Sequence, residues 1–154
     1  MAEGDQNKLK QKLRAFAEDF PFFKLLGVEL VDFGPEWSTT RIALAPELRN
    51  ANGVMHGGVL ATLIDIGFTQ AMLMTDAYQQ VRDTKGSMSS LDLRVKYLRP
   101  LTDGYATCEA RISHLGRRVA HASAVVKNDQ GKEVALGDAM LMITLGEGTK
   151  TPSR

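Results

Sequence analysis

Apolar residues recur along this chain with two different periods, and the change between them divides it. From Asn7 to Phe20, the residues Leu9, Leu13, Phe16, Ala17 and Phe20 fall at three- and four-residue spacing. That spacing predicts an amphipathic helix, ended by Pro21. Val28–Phe33 and Ser38–Leu44 read as two strands joined at Gly34-Pro35. After a loop from Ala45 to Met55, the stretch Gly57–Thr75 is apolar on most of its circumference, which predicts an enclosed helix. From Ser87 onward the period becomes two. Leu91, Leu93, Val95 and Tyr97 alternate with Asp92, Arg94 and Lys96, and Ala106, Cys108, Ala110 and Ile112 alternate with Thr107, Glu109 and Arg111. Ala120, Ala122, Ala124 and Val126 continue the pattern; Asn128–Gly131 is a hairpin turn, and Lys132–Thr144 a last strand.

The order is therefore a helix, two strands, one strongly apolar helix, then four strands read as a meander. An antiparallel sheet with one wet face needs an apolar layer against the other. The central helix supplies that layer, and the small residues Ala106, Ala110, Ala120, Ala122 and Ala124 let the sheet close around it. The expected class is α+β, with an antiparallel sheet wrapped around a central apolar helix and an extra helix in front. Residues 1–22 would carry that extra helix, 23–146 the main domain and 147–154 a flexible tail.

Composition changes this picture little. A chain of 154 residues with 44% hydrophobic and 24% charged residues is an ordinary globular domain. A net charge of +1 gives no bulk attraction to nucleic acid or membranes. The single cysteine, Cys108, excludes an internal disulfide and fits a reducing compartment. The opening residues are polar and lack a signal-peptide core, so the expected location is cytoplasmic.

The chemistry concentrates between Asn50 and Asp65. Asp65 stands among Val59, Leu60, Leu63, Ile64, Ile66 and Phe68, a costly place for a carboxylate unless something pairs with it or uses it. Upstream, Gly57 and Gly58 follow His56 where the helix begins, so bare backbone N–H groups face outward from its positive end. Taken singly, the glycine pair is also a permissive turn, His56 a helix cap, and Asn50 a turn former with Asn52 as its competitor. Together, Asn50, Gly53, His56-Gly57-Gly58 and Asp65 fill every position of a pattern, and the chain resembles the PaaI-like (phenylacetic-acid-pathway) hot-dog acyl-CoA thioesterases from roughly Phe23 to Leu145.

The resemblance implies roles. The Gly57 N–H would polarise the thioester carbonyl and hold the developing oxyanion. Asp65 would be the nucleophile or the base that activates water. His56 would help hold the active-site loop, and Asn50 would orient water or the carbonyl. The family's hydroxyl residue falls at Ser90, within Ser-x-Asp-x-x-x-x-Tyr-x-x-Pro up to Pro100, whereas period-two parity favours Ser89. Arg99, Arg117 and Arg118 resemble the residues that contact the phosphates of coenzyme A in related enzymes. Coenzyme A is then part of the substrate, with no separate cofactor and no metal.

Other readings are narrowed by motif. No Gly-x-Ser-x-Gly elbow, phosphate loop or dinucleotide fingerprint is present, and His56, His114 and His121 are not at metal-ligand spacing. A hot-dog acyl-thioester hydratase would use a His-plus-acid pair in another pattern. A non-catalytic acyl-CoA sensor would lack the carboxylate. Spacing adds one expectation: Gly57 and Asp65 are eight residues apart on one helix, about 12 Å along its axis. A reacting carbonyl must lie within roughly 3 Å of both the oxyanion donor and the attacking group. A second antiparallel copy would bring them together, so a homodimer with intersubunit sites is expected; the resemblance to hot-dog enzymes implies further pairing into a dimer of dimers.

Overall fold

A computed structural model describes residues 3–146 of the chain. In order, the elements are α1 (Glu3–Glu18), α2 (Pro21–Leu26), β1 (Val28–Gly34), β2 (Trp37–Ala43), a 3-10 turn (Pro46–Leu48), α3 (Gly57–Met72) and α4 (Asp76–Asp83). The strands β3 (Ser87–Tyr97), β4 (Tyr105–Leu115), β5 (Val119–Lys127) and β6 (Glu133–Thr144) complete it. The tail expected at 147–154 lies outside the described residues.

The strands form one antiparallel sheet in the order β1-β2-β4-β5-β6-β3, curved around α3. The expected four-strand meander is corrected here. β4, β5 and β6 are sequential neighbours, but β3 crosses over to pair with β6 at the far edge. The alternation in each strand was readable without revealing this, because register along a strand carries no information about which strand lies beside it.

The layer between sheet and helix is built from small residues against large ones. Ala106, Cys108, Ala110, Ala120, Ala122, Ala124 and Val126 are buried on the sheet, facing Leu60, Leu63, Ile64, Phe68 and Met72 of α3. Burying each of these large side chains contributes about 1.5–3 kcal/mol. The approach is closest at Gly67, where a Cβ would sit 3.1 Å from Cys108 Sγ and 3.2 Å from Ala110 Cβ. The Ser38 hydroxyl, also buried, donates to the Gly67 carbonyl at 2.7 Å and ties β2 to the helix there.

The helices differ from those expected at their ends and in number. α1 extends from Glu3 to Glu18, and Pro21 opens α2 at its first turn, where a missing N–H costs nothing. The central helix stops at Met72 rather than Thr75. The Thr75 side chain then accepts from the Tyr78 N–H at 3.2 Å and starts α4, an element the sequence reading did not assign. α1 lies along the β1 edge with Leu13 and Ala17 buried, while Arg14 donates to the carbonyls of Leu30 and Val31 and Lys10 pairs with Asp32 at 2.6 Å. No described helix is long and apolar enough to cross a membrane.

Candidate active site

The loop before α3 is folded by its own backbone. Asn50 Oδ1 accepts from the N–H groups of Asn52 (2.9 Å) and Val54 (3.3 Å), and the Asn50 N–H donates to the Val54 carbonyl at 2.8 Å. Gly53 sits at φ +76°, a conformation that favours glycine in this tight turn. The oxygen of Asn50 thus builds the loop, while its Nδ2 has no acceptor among the described residues. Asn52 is exposed and contributes its backbone N–H to the same turn.

The chain then reaches His56, which caps α3. Its backbone is extended (φ −62°, ψ 133°), and its Nδ1 accepts from the Gly58 N–H at 2.9 Å. Accepting through Nδ1 places the proton of the neutral ring on Nε2. With Gly58 satisfied by the cap, the Gly57 N–H has no acceptor among the described residues, at the positive end of a 16-residue helix. Tyr97 supports this turn from β3: its hydroxyl donates to the Gly57 carbonyl at 3.0 Å. A Cβ at Gly57 would approach the Tyr97 ring to 3.2 Å. Tyr97 was absent from the expected site, although it is the Tyr of the Ser-x-Asp-x-x-x-x-Tyr-x-x-Pro stretch.

Two turns further along, Asp65 is half-buried and accepts a hydrogen bond on Oδ1 from the Ser90 hydroxyl at 2.5 Å. A bulge explains why Ser90 reaches it. Ser90 pairs with Leu141 and Asp92 with Met140, so Leu91 is left out of the ladder. The extra residue reverses the parity of the strand before it. Ser90 therefore shares the inner face with Leu93 and Val95, and Leu91, expected on that face, is 49% exposed.

The arginines divide between the two ends. Arg99 follows Tyr97 at the Gly57 end, where its guanidinium donates to the Glu133 carbonyl at 2.6 Å. Arg117 and Arg118 are exposed in the β4–β5 turn. The cross-sheet row Leu115, Ala120, Leu141, Ser90 sets that turn at the Asp65 end. Within one chain the three arginines are not brought together.

Cys108 has no part in this chemistry. Burial pushes its thiol up to about 12, a smaller opposing effect coming from the Thr40 hydroxyl, so it stays protonated and unreactive. Among the described residues, no group of three or more His, Cys, Asp or Glu side chains is placed to hold a metal ion. A surface hollow of about 730 Å³ lies at the turn between α1 and α2, lined by Phe16, Phe20 and Pro21 among others, and includes none of these residues.

Comparison with known proteins supplies the family. Residues 52–135, more than half of the chain, match the model of the thioesterase superfamily. The chain is 27% identical over 147 residues to the medium/long-chain acyl-CoA thioesterase YigI of Escherichia coli K12, covering 90% of this chain and 95% of that protein. It is 30% identical over 132 residues to acyl-coenzyme A thioesterase 13 of Pongo abelii, covering 84% and 89%. The solved structure of the E. coli PaaI protein from the phenylacetic acid degradation operon superposes with a TM-score of 0.77 at 23% identity, over 91% of this chain and 96% of that one, and so shares the fold. The half-buried carboxylate, the free N–H at the helix start and the matched model agree: the chain belongs to the thioesterase superfamily, has the hot-dog fold and is a thioester hydrolase.

Proposed function

We propose that this enzyme hydrolyses acyl-coenzyme A thioesters of medium to long chain, with Asp65 and Ser90 as its attacking half and Gly57 as its oxyanion half. Water, activated by loss of a proton to Asp65, attacks the thioester carbon; Asp65 attacking directly, with water resolving the acyl-enzyme, fits the same geometry. The carbonyl oxygen gains charge and is held by the Gly57 N–H. Collapse of the tetrahedral intermediate breaks the C–S bond. Coenzyme A leaves and takes the proton held by Asp65, and the free acid remains. The observation that carries this reading is the 2.5 Å bond from Ser90 to Asp65, which orients the carboxylate and leaves its second oxygen for water.

The other roles follow from position. His56 caps Gly58 and so leaves Gly57 as the outward donor. Asn50 holds the preceding loop and has Nδ2 to offer to the substrate or water. Arg99, Arg117 and Arg118 bind the phosphates of coenzyme A, which enters as part of the substrate; the hydrolysis needs no further cofactor. The chain-length class is supported by the name of the YigI relative; a cytoplasmic site of action is consistent with a chain whose single cysteine is buried and free.

A homodimer completes the site in this reading. α1 covers the β1 edge, whereas nothing among the described residues covers the outer edge of β3, with Leu91, Tyr97 and Leu98 exposed along it and just beyond. Two β3 strands pairing antiparallel would set two copies of α3 side by side in opposite directions, each Gly57 end beside the partner's Asp65 end. A second pairing into a dimer of dimers is compatible with this. The direct test is thiol release from a panel of acyl-CoAs, read with a thiol-reactive dye. Activity rising from acetyl- to dodecanoyl-CoA is expected, and no release from any member would overturn the proposal.

A further inference from the structure

One turn beyond Asp65, the surface opens into a groove of about 450 Å³. Phe16 of α1, Phe20 just after it, Thr69 and Gln70 of α3, Tyr78 of α4 and Met88 of β3 contribute to its walls, with the basic Arg82 and Lys85 also among them. Its walls neighbour the candidate site along both α3 and β3. Thr69 follows Asp65 by four residues and so lies on the same helix face. Met88 precedes Ser90 by two and shares its inner face, the cross-strand partners Ile143 and Leu141 both being buried. Its volume lies within the range of small-ligand pockets, roughly 300–1,000 Å³. Phe16 and Phe20 are 55% and 43% exposed, an unusual amount of bare aromatic surface to leave beside a groove.

One polar wall residue is both buried and without a partner among the described residues. Gln70 is 6% exposed, and its Oε1 has no donor among the described residues. A buried polar group without a partner is costly, so the groove as it stands is incomplete at this point. Gln70 is five residues past Asp65, about 7.5 Å along the helix axis, which sets its level in the groove relative to the reacting carbonyl.

We propose that this groove receives the acyl chain, and that Gln70 selects chains bearing a hydroxyl group part-way along. The proposal rests on the thioesterase reading above and adds to it a substrate class, hydroxyacyl thioesters. A hydroxyl both donates and accepts, so it matches either orientation of the Gln70 carboxamide. A plain alkyl chain fills the same space but leaves Gln70 unpaired. Sites built to pair a substrate hydroxyl discriminate strongly against the analogue that lacks it. In this account α1 forms the outer wall of the acyl site.

The test compares dodecanoyl-CoA with a series of hydroxydodecanoyl-CoAs differing in hydroxyl position, using the full-length wild type and Gln70→Leu. At one or two neighbouring positions the wild type is expected to favour the hydroxy substrate by about tenfold in kcat/KM, the net worth of one hydrogen bond, and Gln70→Leu to bring that ratio close to one. A ratio near one at every position in the wild type, or a preference that survives in Gln70→Leu, would overturn the role of Gln70. Should Gln70→Leu fold poorly, Gln70→Met gives the same comparison with a side chain of similar length. Phe16→Ala, on the exposed rim, should lower the dodecanoyl-to-acetyl ratio several-fold, and an unchanged ratio would remove the groove as the acyl site. Calorimetric titration with the free hydroxydodecanoates separates the two claims. Absence of turnover would then count against the thioesterase reading, while equal binding of hydroxy and plain acids by the wild type would count against this one.

Discussion

The two ends of the working stretch of α3 offer a contrast. Its first turn presents backbone: a free Gly57 N–H, a carbonyl held by Tyr97, and His56 closing the cap. Its middle presents a side chain, the Asp65 carboxylate, oriented by Ser90 from a bulged strand. In the proposed mechanism one end holds the developing negative charge and the other delivers the attack, and about 12 Å of helix separates them. The arginines follow the same division, Arg99 at one end and Arg117 with Arg118 at the other. In the proposed dimer each chain carries two unlike half-sites, and a complete site takes a half from each of two chains.

The contrast is broken most severely at the attacking half. Asp65→Asn should lower kcat by about 10³-fold or more, with the fold and acyl-CoA binding retained. Circular dichroism, calorimetric binding and turnover check this together. On the oxyanion half, Gly57→Ala pushes a methyl group toward the Tyr97 ring and tilts the donor, so a fall in kcat of about 10²-fold is expected. Replacing Arg99, Arg117 and Arg118 with alanine should raise KM for acyl-CoA with little change in kcat, because those contacts are alike in ground and transition states. The same triple change should leave a short thioester without the nucleotide unaffected. Tyr97→Phe removes one hydrogen bond to Gly57 while keeping the ring, so a loss of about tenfold or less is expected, in kcat rather than KM. Cys108 supplies the smallest effect: the folded enzyme should give no fast reaction with the thiol dye, and labelling should appear only on unfolding.

Much of this was legible before any coordinates, for reasons that differ by region. α3 and the inward alanines of β4 and β5 announce themselves because burial imposes a period on the sequence. The position of β3 did not, since alternation reports faces and says nothing of neighbours. The bulge at Leu91 misled parity in the one place where it mattered, setting Ser89 against Ser90, because an extra residue in a strand carries no compositional mark. α4 went unread although Thr75 followed by Asp76 is a helix-start signal, hidden by the long apolar run before it. Tyr97 was counted as one more apolar position; its hydroxyl contact depends on how β3 crosses the start of α3, which only the assembled fold specifies.

The division of the site between two chains is the central claim, and mixed dimers test it most directly. Gly57→Ala and Asp65→Asn subunits, each inactive or nearly so alone, are co-expressed with different tags, and the heterodimer is isolated. If each site takes Gly57 from one chain and Asp65 from the other, the mixed dimer has one site with both lesions and one with neither. Its activity should then recover to about half that of the wild type, the two sites acting independently. If both residues served a site within one chain, every site in the mixed dimer would keep a lesion. Heterodimers no more active than their parents would contradict the account.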